Sequence, residues 1–137
     1  MNNRDDILNK QEKDCLYRYQ RDILRIEDEQ DKVKQQRSLL SEMDELMYEG
    51  TKRMHGHLET LADSTSDPHT CQMAIARSNQ MVLARIKATE DISHLQEQLI
   101  KEERILADSH DKREKEYREE LKRSSDRPES TRPAYSQ

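Results

Sequence analysis

Five histidines, two cysteines and several paired carboxylates are the residues here with types suited to chemistry. His55, His57, His69 and Cys71 lie near one another in sequence and are of the kinds that ligate zinc. Their spacing matches no familiar ligand pattern, and residues 55 and 57 project from different faces of a helix. The expectation is a set of solvated polar residues and no metal. His94 and His110 stand alone among charged residues and read as surface. The pairs Glu102-Glu103 and Glu119-Glu120 need a dry cleft to shift their proton affinities before acting as acid or base. Gly50 and Gly56 are the only glycines, so no glycine-rich phosphate loop exists. Neither a catalytic residue nor a cofactor is expected, and the chain reads as a non-enzyme.

What could position any site follows from composition. Hydrophobic residues make up 31% and charged residues 39%, with no Trp or Phe, too little bulky apolar volume for a three-dimensional core. Two Gly and three Pro are too few for a many-turned β protein. The net charge of −5 has its signs interleaved, which argues against a nucleic-acid surface. No apolar run approaches the ~18 residues of a membrane span, and the N-terminal Met1–Asp6 lacks the apolar stretch of a secretory signal. A soluble protein of a reducing compartment is expected.

Sevenfold periodicity supplies the fold. Tyr19, Ile26, Val33, Leu40, Met47, Met54 and Leu61 form one apolar line, the seam of a coiled coil. Its companion line carries Gln30, Arg37 and Asp44 in the middle, read either as register-fixing polar residues inside the seam or as its solvated margin. Asn3 reads as an N-cap with Asp5 and Asp6 in the first turn. Gly50 and Gly56 mark places for a bend or fraying. The strong break is Asp63-Ser64-Thr65-Ser66-Asp67-Pro68, with Asp67 as N-cap and Pro68 as first position of a second helix. That helix carries Ala74, Met81, Ala88 and Leu95 on one line and Ile92, Leu99 and Leu106 on another.

The fold class is therefore all-α, a long antiparallel two-helix coiled-coil hairpin. It comprises a helix over about 4–62, a turn over 63–67 and a helix over about 68–123, so residues 1–123 form one hairpin. Two prolines and no period over 124–137 predict a disordered tail. Folding back at residues 64–65 pairs positions whose numbers sum to about 129. Met54 then faces Ile75, Met47 faces Val82, Leu40 lies by Ala88, Val33 by Leu95 and Ile23 by Leu106. Cys15 and Cys71 fall too far apart along such a hairpin for an intramolecular disulfide.

Two surface features carry a functional reading. Arg18, Arg21 and Arg25 stand across from Arg104, Lys112, Arg113 and Arg118, diluted by Asp14, Asp22, Asp108, Asp111 and Glu114. They form either a solvated salt-bridge face or a bipolar docking surface. Leu39, Met43 and Leu46 with Tyr48, and Val82 and Ile86 across the hairpin, make either a wide stripe or a second, partner-binding one.

The segment Cys15-Leu16-Tyr17-Arg18-Tyr19-Gln20, the acidic and glutamine-rich heptads after it and then Leu39-Leu40 resemble the central-stalk proteins of type III secretion and flagellar export ATPases, the FliJ, YscO and InvI group. The resemblance covers the whole architecture and transfers no catalytic motif. It implies a cytoplasmic stalk, peripheral to the inner-membrane export apparatus, inserted in a hexameric secretion ATPase and reaching toward an export-gate protein or secretion chaperones. On that resemblance Arg18, Arg21, Lys112, Arg113 and Arg118 would contact the ring, and Leu39, Met43, Leu46 and Tyr48 the gate or a chaperone. The chain departs from the group in having no mid-hairpin aromatic residue apart from Tyr48.

Overall fold

The structure, a computed structural model, describes the backbone of residues 3–125 and the side chains of residues 10–125. Two helices, α1 (Asn3–Ser64) and α2 (Pro68–Ser125), pack against each other as a hairpin, and no strand occurs among the described residues. Neither helix is long and apolar enough to cross a membrane. The expected first-turn carboxylates Asp5 and Asp6 fall outside the described side chains, and most of the expected tail falls outside the described residues. Ser124 and Ser125, expected in that tail, belong to α2.

The turn is built as its sequence dictates. Asp67 accepts hydrogen bonds from the His69 backbone N–H (3.2 Å) and the Thr70 hydroxyl (2.7 Å). Its carbonyl accepts the first intrahelical bond, from the Cys71 N–H. It is the N-cap, and Pro68 takes the first helical position, where the missing N–H costs nothing. The Thr70 hydroxyl and then the His69 N–H hold the Asp67 carboxyl below the usual carboxylate range.

The described residues divide into two compact units, one of residues 3–32 with 102–125 and one of residues 33–101. In the second unit α1 turns Val33, Arg37, Leu40, Asp44, Met47, Thr51, His55, Leu58 and Ala62 inward. From α2 come Cys71, Ala74, Ser78, Met81, Arg85, Ala88, Thr89, Ile92, Gln96 and Leu99. Val33, Ala74, Ser78 and Ile92 are the buried members.

Two expectations fail here, for linked reasons. α1 runs through Ser64, so the connection shortens to three residues and the pivot moves toward Ser66. Asp44 meets Thr89 (3.4 Å), four positions past the residue 85 that the sequence register put opposite it. Ile75, Val82 and Leu95, the expected partners of Met54, Met47 and Val33, are exposed. Inside α1, Met47, Thr51 and His55 follow one another in two steps of four, and Met81, Arg85 and Thr89 do the same in α2. A doubled step of four is a stutter, which unwinds the supercoil locally. Past it the inward positions of α1 are His55, Leu58 and Ala62, and the heptad residues Met54 and Leu61 point away. Gly50 and Gly56 do not interrupt α1, and neither has positive φ.

In the first unit α1 turns Glu12, Leu16, Tyr19, Ile23, Ile26 and Gln30 inward, and α2 supplies Leu106, His110, Arg113, Tyr117 and Glu120. Leu106 is its buried apolar side chain. Cross-helix polar contacts do the rest. Gln20 donates to the Tyr117 hydroxyl (2.8 Å), and the Ser124 hydroxyl donates to Glu12 (3.2 Å). Here too the register is displaced, since the sequence pairing puts Gln20 opposite position 109, not 117.

Candidate functional site

The polar companion line lies in the seam. Arg37 Nε donates to Gln96 Oε1 (3.4 Å), and Gln96 Nε2 donates back to the Arg37 carbonyl (3.1 Å). With the Asp44–Thr89 bond, these directional pairs fix which residue meets which, because a slip would strand half-buried polar groups. Further along, His55 Nδ1 is hydrogen-bonded to the Ser78 hydroxyl and Nε2 lies 2.9 Å from Glu59. With Nε2 donating to the carboxylate, a neutral imidazole accepts from Ser78 at Nδ1. Serine, imidazole and carboxylate recur in this order in hydrolases. Here Ser78 is 4% exposed in mid-helix, where neighbouring backbone N–H groups are committed to helix bonds. The chain links the two helices.

His57 and His69 are exposed, and Cys71 is half-buried in a shallow groove with His55, Glu59 and Ser78. Both cysteines are free thiols. His110, expected alone at the surface, is instead turned toward α1, its side chain 20% exposed and facing Glu27. His110 lies four residues past Leu106, so helical phase alone puts it on the side of α2 that faces α1.

The expected ring-contact residues all belong to the first unit but do not share one environment. Arg18, Arg21 and Lys112 are exposed. Arg18 and Arg21 line a shallow groove with Leu24, Arg25, Asp22 and Asp28. Arg21 lies 5.8 Å from the centroid of the Tyr17 ring. Exposed Tyr17 and Leu24, neither of them an expected contact residue, make this face apolar as well as basic. Arg118 is largely exposed and reaches Glu114 (3.9 Å). Arg113 is different. It pairs with Glu116 (2.9 Å) and with Asp22 across the helices (3.5 Å), and its guanidinium lies 5.8 Å from the Tyr19 ring. Those contacts make Arg113 a clasp within the unit. Burial first, then the Cys15, Glu116 and Glu120 charges, push the Tyr19 phenol above its ordinary range.

Leu39, Met43, Leu46 and Tyr48, in the second unit, are all exposed, Leu46 to 73%. Leu39, Met43 and Leu46 each precede an inward residue by one, whereas Tyr48 follows one. A step of 100° per residue places Tyr48 on the opposite flank of α1. Between the flanks runs an acidic row, and Glu42, Glu45 and Glu49 line a groove with Leu46 and Tyr48. Residues 38–51 contain four acids and no Lys or Arg. This face is apolar and acidic, the converse of the face around Leu24.

In comparison with known proteins, no family model, no curated protein and no solved structure matches this chain.

Proposed function

We propose that the chain is a non-enzymatic coiled-coil adaptor, the central stalk of a type III secretion export ATPase. In this reading it enters a hexameric ring to promote assembly and activity, and links the ring to an export-gate protein or secretion chaperones. The observation that carries it is a pair of exposed patches on α1 with opposite charge, one in each unit. One is basic with Tyr17 and Leu24, and the other is acidic with Leu39, Met43 and Leu46. Two faces of opposite charge suit two different partners, since complementarity selects the partner and speeds encounter. A single chain in a sixfold ring touches its subunits unequally, so it favours closure of one site over the others. Its place would be cytoplasmic, peripheral to the inner-membrane export apparatus.

The ring contacts in this proposal are Arg18, Arg21, Lys112 and Arg118. Arg113 contributes by holding the unit together. The test is ATP hydrolysis by a purified hexameric secretion ATPase with added protein. Stimulation by wild type and its loss in an Arg18→Glu/Arg21→Glu variant of unchanged helicity are expected. Stimulation that survives this reversal rules out the basic face as the ring contact.

The alternatives are a scaffold subunit of a larger coiled-coil assembly and a secretion chaperone or regulator. Exposed Leu39, Met43 and Leu46 favour the scaffold reading, because they run at heptad-like spacing beside the seam. Sedimentation over a range of concentrations separates the scaffold reading from the stalk: a stalk stays monomeric, and a scaffold subunit forms an obligate oligomer.

A further inference from the structure

We propose that His110, Asp111 and Glu114 form a binding site for a divalent transition-metal ion, with Glu27 of α1 completing it beside His110. The site lies within the first unit and is independent of the stalk reading. His110 and Glu114 are one helical turn apart, so both project from one face of α2. That i, i+4 arrangement is a standard way for a single helix to supply two ligands. Glu27 comes from α1. The His110 Nε2 atom lies 3.8 Å from a carboxylate oxygen of Glu27 and 3.8 Å from one of Glu114. Neither separation is a hydrogen bond, which would need the atoms well inside 3.5 Å. Both are close to the ~3.4 Å between neighbouring ligands of a tetrahedral ion with bonds of ~2.1 Å. The nearest ligand atoms of His110, Asp111 and Glu114 all lie within 4.8 Å of one another.

An imidazole nitrogen thus faces carboxylates from both helices across a gap of ionic size. The imidazole is the decisive donor. Carboxylates alone would suit calcium or magnesium, whereas a nitrogen with two or three oxygens suits zinc and its first-row neighbours. Glu27 and Glu114 are about half exposed, so an ion has an entry path and room for a bound water. Two carboxylates balance a dication. Because the ligands come from two helices, the ion would join them, and binding would stabilise the folded chain.

The test uses the full chain, stripped with a chelator and titrated with zinc chloride by calorimetry, with thermal unfolding followed by circular dichroism. One saturable equivalent and a higher midpoint with zinc are expected. His110→Ala should abolish both, Glu27→Gln and Glu114→Gln should each weaken binding at least about tenfold, and Cys71→Ser should leave binding intact. Calcium at the same concentration should not displace zinc. The site is refuted by no saturation up to about 1 mM, by His110→Ala binding as tightly as wild type, or by calcium competing on equal terms. Should His110→Ala lose its helical signal, Glu27→Gln and Glu114→Gln decide the question, and wild-type affinity in both overturns the proposal.

Discussion

The guanidinium of Arg85 lies over the ring of Tyr48, 4.4 Å from its centroid, where the stutters of α1 and α2 face each other. Arg85 Nε is buried without a hydrogen-bond partner, so the aromatic face is what compensates that end of the group. A double-mutant cycle on Tyr48→Leu and Arg85→Met, read by urea unfolding, should give a coupling of about 0.5–1 kcal/mol. A coupling near zero would mean that the stacked geometry contributes nothing.

The doubled steps of four make a second prediction, because they decide which residues near the turn are inside. Met54 is half exposed although it continues the heptad line, and Ala62 is turned inward although that line omits it. Met54→Gln should change stability by no more than about 0.5 kcal/mol. Ala62→Glu should cost upwards of about 1 kcal/mol, since it forces a carboxylate into the seam. If Met54→Gln proves the more damaging, an unbroken heptad describes this region better.

Gly50 and Gly56 sit inside α1 with ordinary helical backbone, and a Cβ added at either meets no atom within 4 Å. Alanine at each should therefore stabilise, by about 0.5–1 kcal/mol, through a less entropic unfolded chain and better helix propensity. A raised thermal midpoint for each single variant, roughly additive in the pair, is the expected result. A fall in midpoint would place a bend or a partner contact at these positions.

The cap at Asp67 makes stability depend on pH in a defined direction. Its carboxyl is held below its ordinary value in the folded state, by Thr70 and the His69 N–H. A depressed folded-state value means that the contribution is complete above the unfolded value of 3.8 and is lost as pH falls through the folded one. Asp67→Asn keeps a capping oxygen but does not titrate. Its stability relative to wild type should improve steadily as pH is lowered from about 5 toward 2. Parallel pH profiles for the two proteins would show that the cap does not depend on ionisation.

Much of the architecture was legible in the residues themselves. Charged heptads without bulky aromatics allow only long helices paired along a stripe, and Asp67-Pro68 carries its own start signal in side-chain chemistry that acts over three residues. These are short-range effects, so the sequence alone determined two helices, a break between them at Asp67-Pro68 and an apolar line along the seam. Register is not short-range. It depends on where α1 stops, and two extra helical residues at Asp63 and Ser64 displace the pairing downstream. Only the packed structure decided that Arg37, Asp44 and His55 find partners on α2, that both helices stutter together, and that Arg113 is clasped while Arg18 and Arg21 stay free of that clasp. It also brought His110 to Glu27. A heptad pattern says which side of each helix is apolar, but polar seam residues choose among near-equivalent alignments through pairwise hydrogen bonds, and those exist only once both helices are in place.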